Sequence, residues 1–393
     1  GEASVSSVRV DGLPVEPVYE AQGSALRIPI EQRLAPGASV VLELEFSTSI
    51  PRQMEGNYGL FGYFDGFLVL DTFYPMIPAY DENGWQREAT PPNGDPTYND
   101  VSFYLVRVHA PADLTLVATG SAIDRRAMDG EQIVTYASGP ARDFYLAAAT
   151  DIEEMEARVG ETVVRSYAPA RFKEHAEIVL RVGVDALKSF ENRFGDYPYP
   201  EMELISTPMQ ALGIEYPGVM GINIELFDPD ASFDGVPSGA YLEGTVAHEI
   251  AHQWFYNLVG NDQTRQPWLD EALAQYATYL YYQDTYGDQA ASSFRQSWYQ
   301  RWDRADRADI PIGLPAGDYQ GPEYSGIVYG RGPIFIGELS ESMSPDQFDA
   351  FLQNYVNQHA WGIATQDSFE AAAENACGCE LDALFADWVR ADD

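Results

Sequence analysis

"TVAHEIAHQWF", residues 245–255, sets two of the chain's five histidines, His248 and His252, four positions apart, with Glu249 directly after the first. On an α-helix that spacing brings both imidazoles to one face, about a turn apart. Two neutral imidazoles so placed can share one zinc ion. Glu249, pointing to the side, can then take a proton from water at the metal instead of binding it. The same residues equally describe an apolar helix carrying two partly buried histidines. The stretch leaves both readings open, because a catalytic zinc takes three protein ligands and keeps a fourth position for water.

A third ligand is available downstream. Eighteen residues separate His252 from Glu271 in "PWLDEALAQYATYLYY" (267–282). That segment reads as a second helix, with Leu269, Leu273, Tyr276 and Leu280 on its buried side. Two antiparallel helices would carry Glu271 back to the histidine pair, and its apolar neighbours disfavour a solvated glutamate.

The 393 residues suffice for two or three domains, and 45% of them are apolar. No apolar run approaches the ~20 residues needed to cross a bilayer. The formal charge is −38, densest beyond residue 150, and Lys173 and Lys188 are the only lysines. So large an acidic excess repels nucleic acid and anionic membranes. It suits a protein outside the cell or in high salt, or reflects a compositional habit of the organism. The start, GEASVSSVRVDG (1–12), lacks a signal-peptide pattern and begins on strand-like alternation, as a chain with its leader removed would. An extracellular or cell-envelope location is the expectation, although a cytoplasmic origin would look the same. Cys377 and Cys379, in "ACGCE", can form a tight disulfide or remain two thiols; a metal site is disfavoured because no further cysteine exists.

Along the chain, "SVVLELEF" (39–46), "FYLVRVHA" (103–110), "LTLVATG" (114–120) and "FYLAAA" (144–149) read as strands, separated by turn chemistry such as "DENG" (81–84) and "PPNGDP" (91–96). Residues 171–194 carry Ile178, Val182, Leu187, Phe190 and Phe194 near helical spacing. "EMELIST" (201–207) is a short strand, "MGINIELF" (220–227) is apolar, and from 242 onward nearly everything reads helical. Ser344-Pro345 starts one helix, and Thr365 or Asp367 caps another. The expectation is a multidomain α and β protein. Residues 1–150 form an antiparallel, sandwich-like β domain, and residues 151–393 a mainly helical domain.

HExxH, eighteen residues and then Glu resembles the signature of the gluzincin aminopeptidases, the group of aminopeptidase N, and "HEIAHQWF…WLDEALAQY" is similar to that group's zinc helices. "LGIEYPG" (212–218) falls where the family has Gly-x-Met-Glu-Asn, and "YSGIVYGRG" (324–332) resembles its Tyr-x4-Tyr-x-[Lys/Arg]-Gly segment. "FYPMIPAYDENGW" (73–85) is also similar. The likeness runs from about residue 60 to the end, in the family's order. It implies a thermolysin-like catalytic domain in which His248, His252 and Glu271 bind one zinc ion. Glu249 would be general base and then acid, and Tyr329 the donor to the oxyanion. Glu215 would clamp the α-amino group of a peptide, in a substrate site with Gly213 and Tyr324. Asp270 can orient a ligand or be a surface carboxylate. The partner implied is a peptide with a free N-terminus, with no nucleic acid and no membrane span; oligomeric state is left open.

The chain departs from the family pattern at Leu212, Ile214 and Tyr216, which stand for its glycine, methionine and asparagine along the substrate backbone. It also stops soon after "LFADWV". The resemblance is therefore to a short form without the family's large C-terminal helical domain, and a more open cleft is expected. His109, His175 and His359 read as ordinary histidines. "FDPDASFDG" (227–235) offers Asp228, Asp230 and Asp234, but it lacks a bidentate glutamate at calcium-loop spacing and reads as a solvated loop. Two rivals stand beside a zinc aminopeptidase: a thermolysin-like endopeptidase in which Glu215 meets no amine, and a non-catalytic binding protein on the same fold.

Overall fold

The computed structural model describes residues 3–54, 57–87, 91, 93–95, 98–233 and 235–390. The front of the chain is built of antiparallel sheets, as its alternating segments predict. Ala3–Val10 pairs with Leu42–Thr48. Glu131–Ala141 pairs with Ser102–Pro111 on one side and Ser121–Met128 on the other. A second sheet runs in the order Thr115–Ala118, Leu146–Ala149, Phe67–Leu70, Phe61–Phe64. Val134 and Tyr136 of the first of these two sheets share one buried cluster with Leu116, Leu146 and Leu70 of the second, so the pair packs face to face.

Of the next strands only Glu201–Thr207 was legible as such. Ile152–Val159 and Thr162–Pro169 form a hairpin, and the second strand runs parallel to Glu201–Thr207, which runs parallel to Val219–Asn223. Gly213–Tyr216 closes the far edge, antiparallel to Val219–Asn223. Helix α1 (Lys173–Phe194) covers this sheet. Its buried Val182, Leu187 and Phe190 join Val164, Met202, Leu204 and Met220 in the main core; the expected Ile178 is only partly buried there.

Helix α2 (Gly239–Ala251) and helix α3 (Trp268–Tyr286) pack together beyond the sheet. Almost every residue of α3 from Trp268 to Tyr281 is buried, so it is a central helix wrapped on all sides. Around it stand α4 (Asp288–Arg304), α5 (Glu323–Gly326), a π-helical turn at Ile327–Arg331, α6 (Gly332–Glu341), α7 (Pro345–His359), α8 (Gln366–Cys377) and α9 (Asp382–Trp388). Ser344 caps α7 through a reciprocal pair with Gln347, and Thr365, not Asp367, caps α8 with Ser368. Cys377 and Cys379 are joined in a disulfide. Among the described residues no helix is long and apolar enough to cross a membrane.

The front and back halves interlock. Asn93 donates to the carbonyls of Ala316 (3.4 Å) and Tyr319 (3.1 Å). Tyr199 donates to the carbonyl of Pro140 (2.6 Å), and Arg142 reaches deep into the helical half.

Candidate active site

Helix α2 carries His248 and Glu249 in its last turn and ends on His252. All three are buried, as is Glu271 in the first turn of α3. Tertiary packing closes the gap of eighteen residues that the spacing left open. His248 Nε2 lies 3.2 Å from Glu271 Oε2, His252 Nε2 lies 3.4 Å from the same oxygen, and the two Nε2 atoms are 3.2 Å apart. Tetrahedral zinc with bonds of about 2.0–2.1 Å sets its ligand atoms roughly 3.3 Å apart. The triangle therefore has the dimensions that zinc needs.

The ring orientation fits as well. His252 Nδ1 stands 2.9 Å from the carbonyl oxygen of Phe255. A carbonyl can only accept, so Nδ1 carries a hydrogen, and Nε2 is the ring nitrogen left to meet a metal.

The charge balance points the same way. Glu215, Glu249, Asp270 and Glu271 are all at least 95% buried, and no lysine or arginine stands in ion-pair distance of any of them among the described residues. Four buried carboxylates charged together would be costly, and against its burial the charges of Glu215 and Glu271 raise His252 well above the usual imidazole range. Burial pushes Glu249 well above the usual carboxylate range, with the charges of Glu215 and Glu271 adding to it. Burial, together with the charge on Glu271, pushes Asp270 up to about 8. Glu271 alone is held far down: burial opposes this, but hydrogen bonds and charge from both histidines outweigh it. A dication at the triangle answers this excess of negative charge.

Two strand residues approach the helix. A Cβ on Gly213 would come within 2.4 Å of Glu249 Oε1, so only glycine lets the edge strand lie against that carboxylate. Glu215, on the same strand, offers an oxygen within 4.8 Å of both a Glu249 oxygen and a His252 nitrogen. The hairpin turn after it is pinned by Gln253, whose Nε2 donates to Tyr216 O (3.0 Å) and whose Oε1 accepts from Gly218 N (2.9 Å).

Gln263 was not singled out by its sequence and proves central. Its Nε2 donates to Glu215 Oε1 (3.1 Å) and to Asp270 Oδ2 (2.6 Å). Asp270 also accepts from Asn261 Nδ2 (3.1 Å) and from the backbone N–H of Glu271 (3.0 Å). It is 1% exposed, which removes the surface-carboxylate reading. Among the described residues it makes no hydrogen bond to a histidine; it holds Gln263 and the first turn of α3. Asp95, from the β-rich half, is a further acid in range: burial and the charges of Glu215, Glu271 and Asp270 raise it well above the usual carboxylate range.

Tyr329 sits on the π-helical turn, a deviation that often marks functional sites. Its hydroxyl donates to Glu271 Oε1, and its ring centroid lies 5.9 Å from that of His248. Burial and the Glu271 charge raise its pKa well above the usual phenol value, so it remains a donor. Tyr324 is buried beside it, ring centroids 5.8 Å apart. The other histidines, His109, His175 and His359, join no ligand cluster among the described residues. In the acidic loop Asp230 N donates to Asp228 Oδ1 (2.9 Å), a local turn, and Asp234 lies outside the described residues.

Comparison with known proteins matches the Peptidase family M1 domain to residues 179–388, more than half of the chain. Aminopeptidase 2 of Candida albicans is 25% identical over 99% of this chain and 42% of its own length. The alanine/arginine aminopeptidase of Saccharomyces cerevisiae is 24% identical over 99% of this chain and 46% of its own length. The chain thus spans less than half of these relatives. Among solved structures, the M1 zinc metallopeptidase of Deinococcus radiodurans is 20% identical, with a TM-score of 0.69, covering 100% of this chain and 84% of that one. A mutant form of it bound to a Tyr-Ser-Ala substrate is 19% identical with a TM-score of 0.71, covering 100% and 85%.

Proposed function

The chain belongs to peptidase family M1, and from that premise we propose that it is a zinc aminopeptidase that removes N-terminal residues from peptides. One zinc ion is held by His248, His252 and Glu271. The observation that carries the exopeptidase reading is the position of Glu215. A buried carboxylate within 4.8 Å of both Glu249 and His252 leaves room for one residue between a bound ammonium and the bond being cut. The names of the relatives and the peptide bound to the Deinococcus radiodurans protein support the substrate class.

When bound, zinc supplies Lewis acidity towards the scissile carbonyl and the attacking water. The remaining steps fall to the chain's own groups. Glu249 takes the proton from water as its oxygen adds to the carbonyl carbon, and returns that proton to the amine nitrogen as the C–N bond breaks. Tyr329 turns its O–H towards the negative oxygen that develops. Glu215, steadied by Gln263 Nε2, accepts hydrogen bonds from the substrate's ammonium and so sets the register.

An aminoacyl reporter and its N-acetylated form separate this reading from an endopeptidase. Removing one partner of a buried charged pair costs several kcal/mol, so kcat/KM should fall roughly 10²-fold on acetylation. Equal rates would sink the exopeptidase reading. Gly213→Ala tests the approach to Glu249. The added methyl forces the carboxylate aside, and a displacement of about 1 Å costs about 10²-fold in rate. We expect that loss with zinc content unchanged; full activity in the zinc-loaded variant would mean that the strand yields instead.

A further inference from the structure

We propose that Arg142, in the β-rich half, is a positioning residue for the metal centre: it holds the turn whose carbonyl orients His252. The inference rests on the zinc reading above and assigns a role to a residue outside the family's motifs.

Arg142 follows the strand Glu131–Ala141 and is 1% exposed. Its guanidinium meets no carboxylate among its hydrogen-bond partners. Nε donates to the carbonyls of Tyr256 (2.6 Å) and Asn257 (3.0 Å), and the terminal nitrogens donate to those of Asn99 (2.9 Å), Leu258 (3.4 Å) and Gly362 (2.6 Å). A buried cation satisfied by carbonyls alone fixes backbone, and most of this backbone is the segment 256–258 just after the zinc helix.

The neighbouring residue grips the same place. Asp143 Oδ2 accepts from the Tyr256 hydroxyl, so Tyr256 is held by its main chain through Arg142 and by its side chain through Asp143. Tyr256 needs holding. Its φ is 136°, a conformation that L-residues rarely adopt and that persists only where the surroundings enforce it. The residue before it is Phe255, whose carbonyl accepts from His252 Nδ1 at 2.9 Å. This is the orienting bond of the metal centre, because His248 Nδ1 is buried without a hydrogen-bond partner among the described residues. The fit is close on the other side too: a Cβ on Gly260 would lie 2.2 Å from Arg142 Cζ.

Zinc affinity against thermal stability distinguishes a positioning role from a merely structural one. Affinity is measured in chelator-buffered zinc on the whole protein. Wild type should bind zinc and His252→Ala should not; if wild type fails to bind, the zinc reading itself falls and this proposal with it. Arg142→Lys keeps the charge but loses the fork, and should weaken zinc binding about 10–100-fold, as losing the support of a ligand does. Its kcat should recover at saturating zinc. Asn93→Ala cuts a contact between the same two halves, to the carbonyls of Ala316 and Tyr319, that does not involve the segment 256–258, and should leave zinc affinity unchanged whatever it does to Tm. Wild-type affinity in Arg142→Lys, or equal weakening in Asn93→Ala, would overturn the proposal. If Arg142→Lys does not fold, Gly260→Ala decides it, because the added methyl would fall 2.2 Å from Arg142 Cζ and push the fork aside: weakening of about tenfold is expected, and unchanged affinity refutes it.

Discussion

Replacing Glu249 by glutamine is expected to lower kcat by about 10²–10⁴-fold while zinc content stays at the wild-type level. The two halves of this result come from different atoms. The metal triangle consists of His248 Nε2, His252 Nε2 and Glu271 Oε2, none of which the substitution touches. Glutamine has nearly the shape of glutamate, so the tight approach of Gly213 is preserved as well. What disappears is a group that can accept a proton from water and later give it up. No neighbour can take over. Glu271 is committed to the histidines, and Glu215 to Gln263 and the incoming ammonium. The wild-type pH profile carries the same signature. Burial raises Glu249, so its base form is lost as pH falls through a pKa above the usual carboxylate value, while the charge of a bound dication pulls the other way. The acid limb of kcat/KM should therefore flatten to the residual rate in the glutamine variant. Unchanged peptide hydrolysis in zinc-loaded Glu249→Gln would end the proposed mechanism.

The site was legible to very different depths. The meeting of His248, His252 and Glu271 could be read because helix geometry turns a spacing of four into one face, and because Glu271 lies in a segment too apolar to be a solvated surface. The supporting residues could not. Gln263 joins Glu215 to Asp270 from a loop with no periodic pattern, and an isolated glutamine carries no signal of its own. Arg142 reaches four of its five carbonyl partners across more than a hundred residues of sequence, a distance over which no local pattern operates. The fold shows the same division. The front strands announce themselves by alternation because one face is buried. Thr162–Pro169 has seven of its eight residues buried, as a strand with both faces covered must, so its period-two signal vanishes. Ile152–Val159 hides for the opposite reason, since its run of charged residues reads as loop although it pairs along its whole length. Gly213–Tyr216 is four residues long, too short for any pattern to emerge, and it carries both Gly213 and Glu215.

Tyr329→Phe is expected to cost about 10²–10³-fold in kcat, the value of one oxyanion donor, with KM little changed. The resting geometry makes this more than a transfer from the family. The hydroxyl already has a partner, Glu271 Oε1, while Oε2 of the same carboxylate faces the histidines. Tyr329 therefore bridges the ligand set and the reacting carbonyl, and two roles must be told apart. If its main work were to steady Glu271, phenylalanine would weaken zinc binding, and saturating zinc would restore kcat. If its main work is to meet the developing oxyanion, zinc affinity stays near wild type, because the substitution leaves all three ligand side chains in place, and the loss in kcat survives any zinc concentration. The second outcome is the expected one. An interaction made mainly in the transition state lowers kcat and kcat/KM together and spares ground-state binding. Tyr324 cannot substitute, since it lies buried beside Tyr329 with its ring centroid 5.8 Å away. Burial and the Glu271 charge keep the Tyr329 pKa well above the usual phenol value, so the donor persists into alkaline solution. The loss on substitution should accordingly be the same at neutral and mildly alkaline pH; a loss confined to one side would show that the hydroxyl acts by titrating and not by donating.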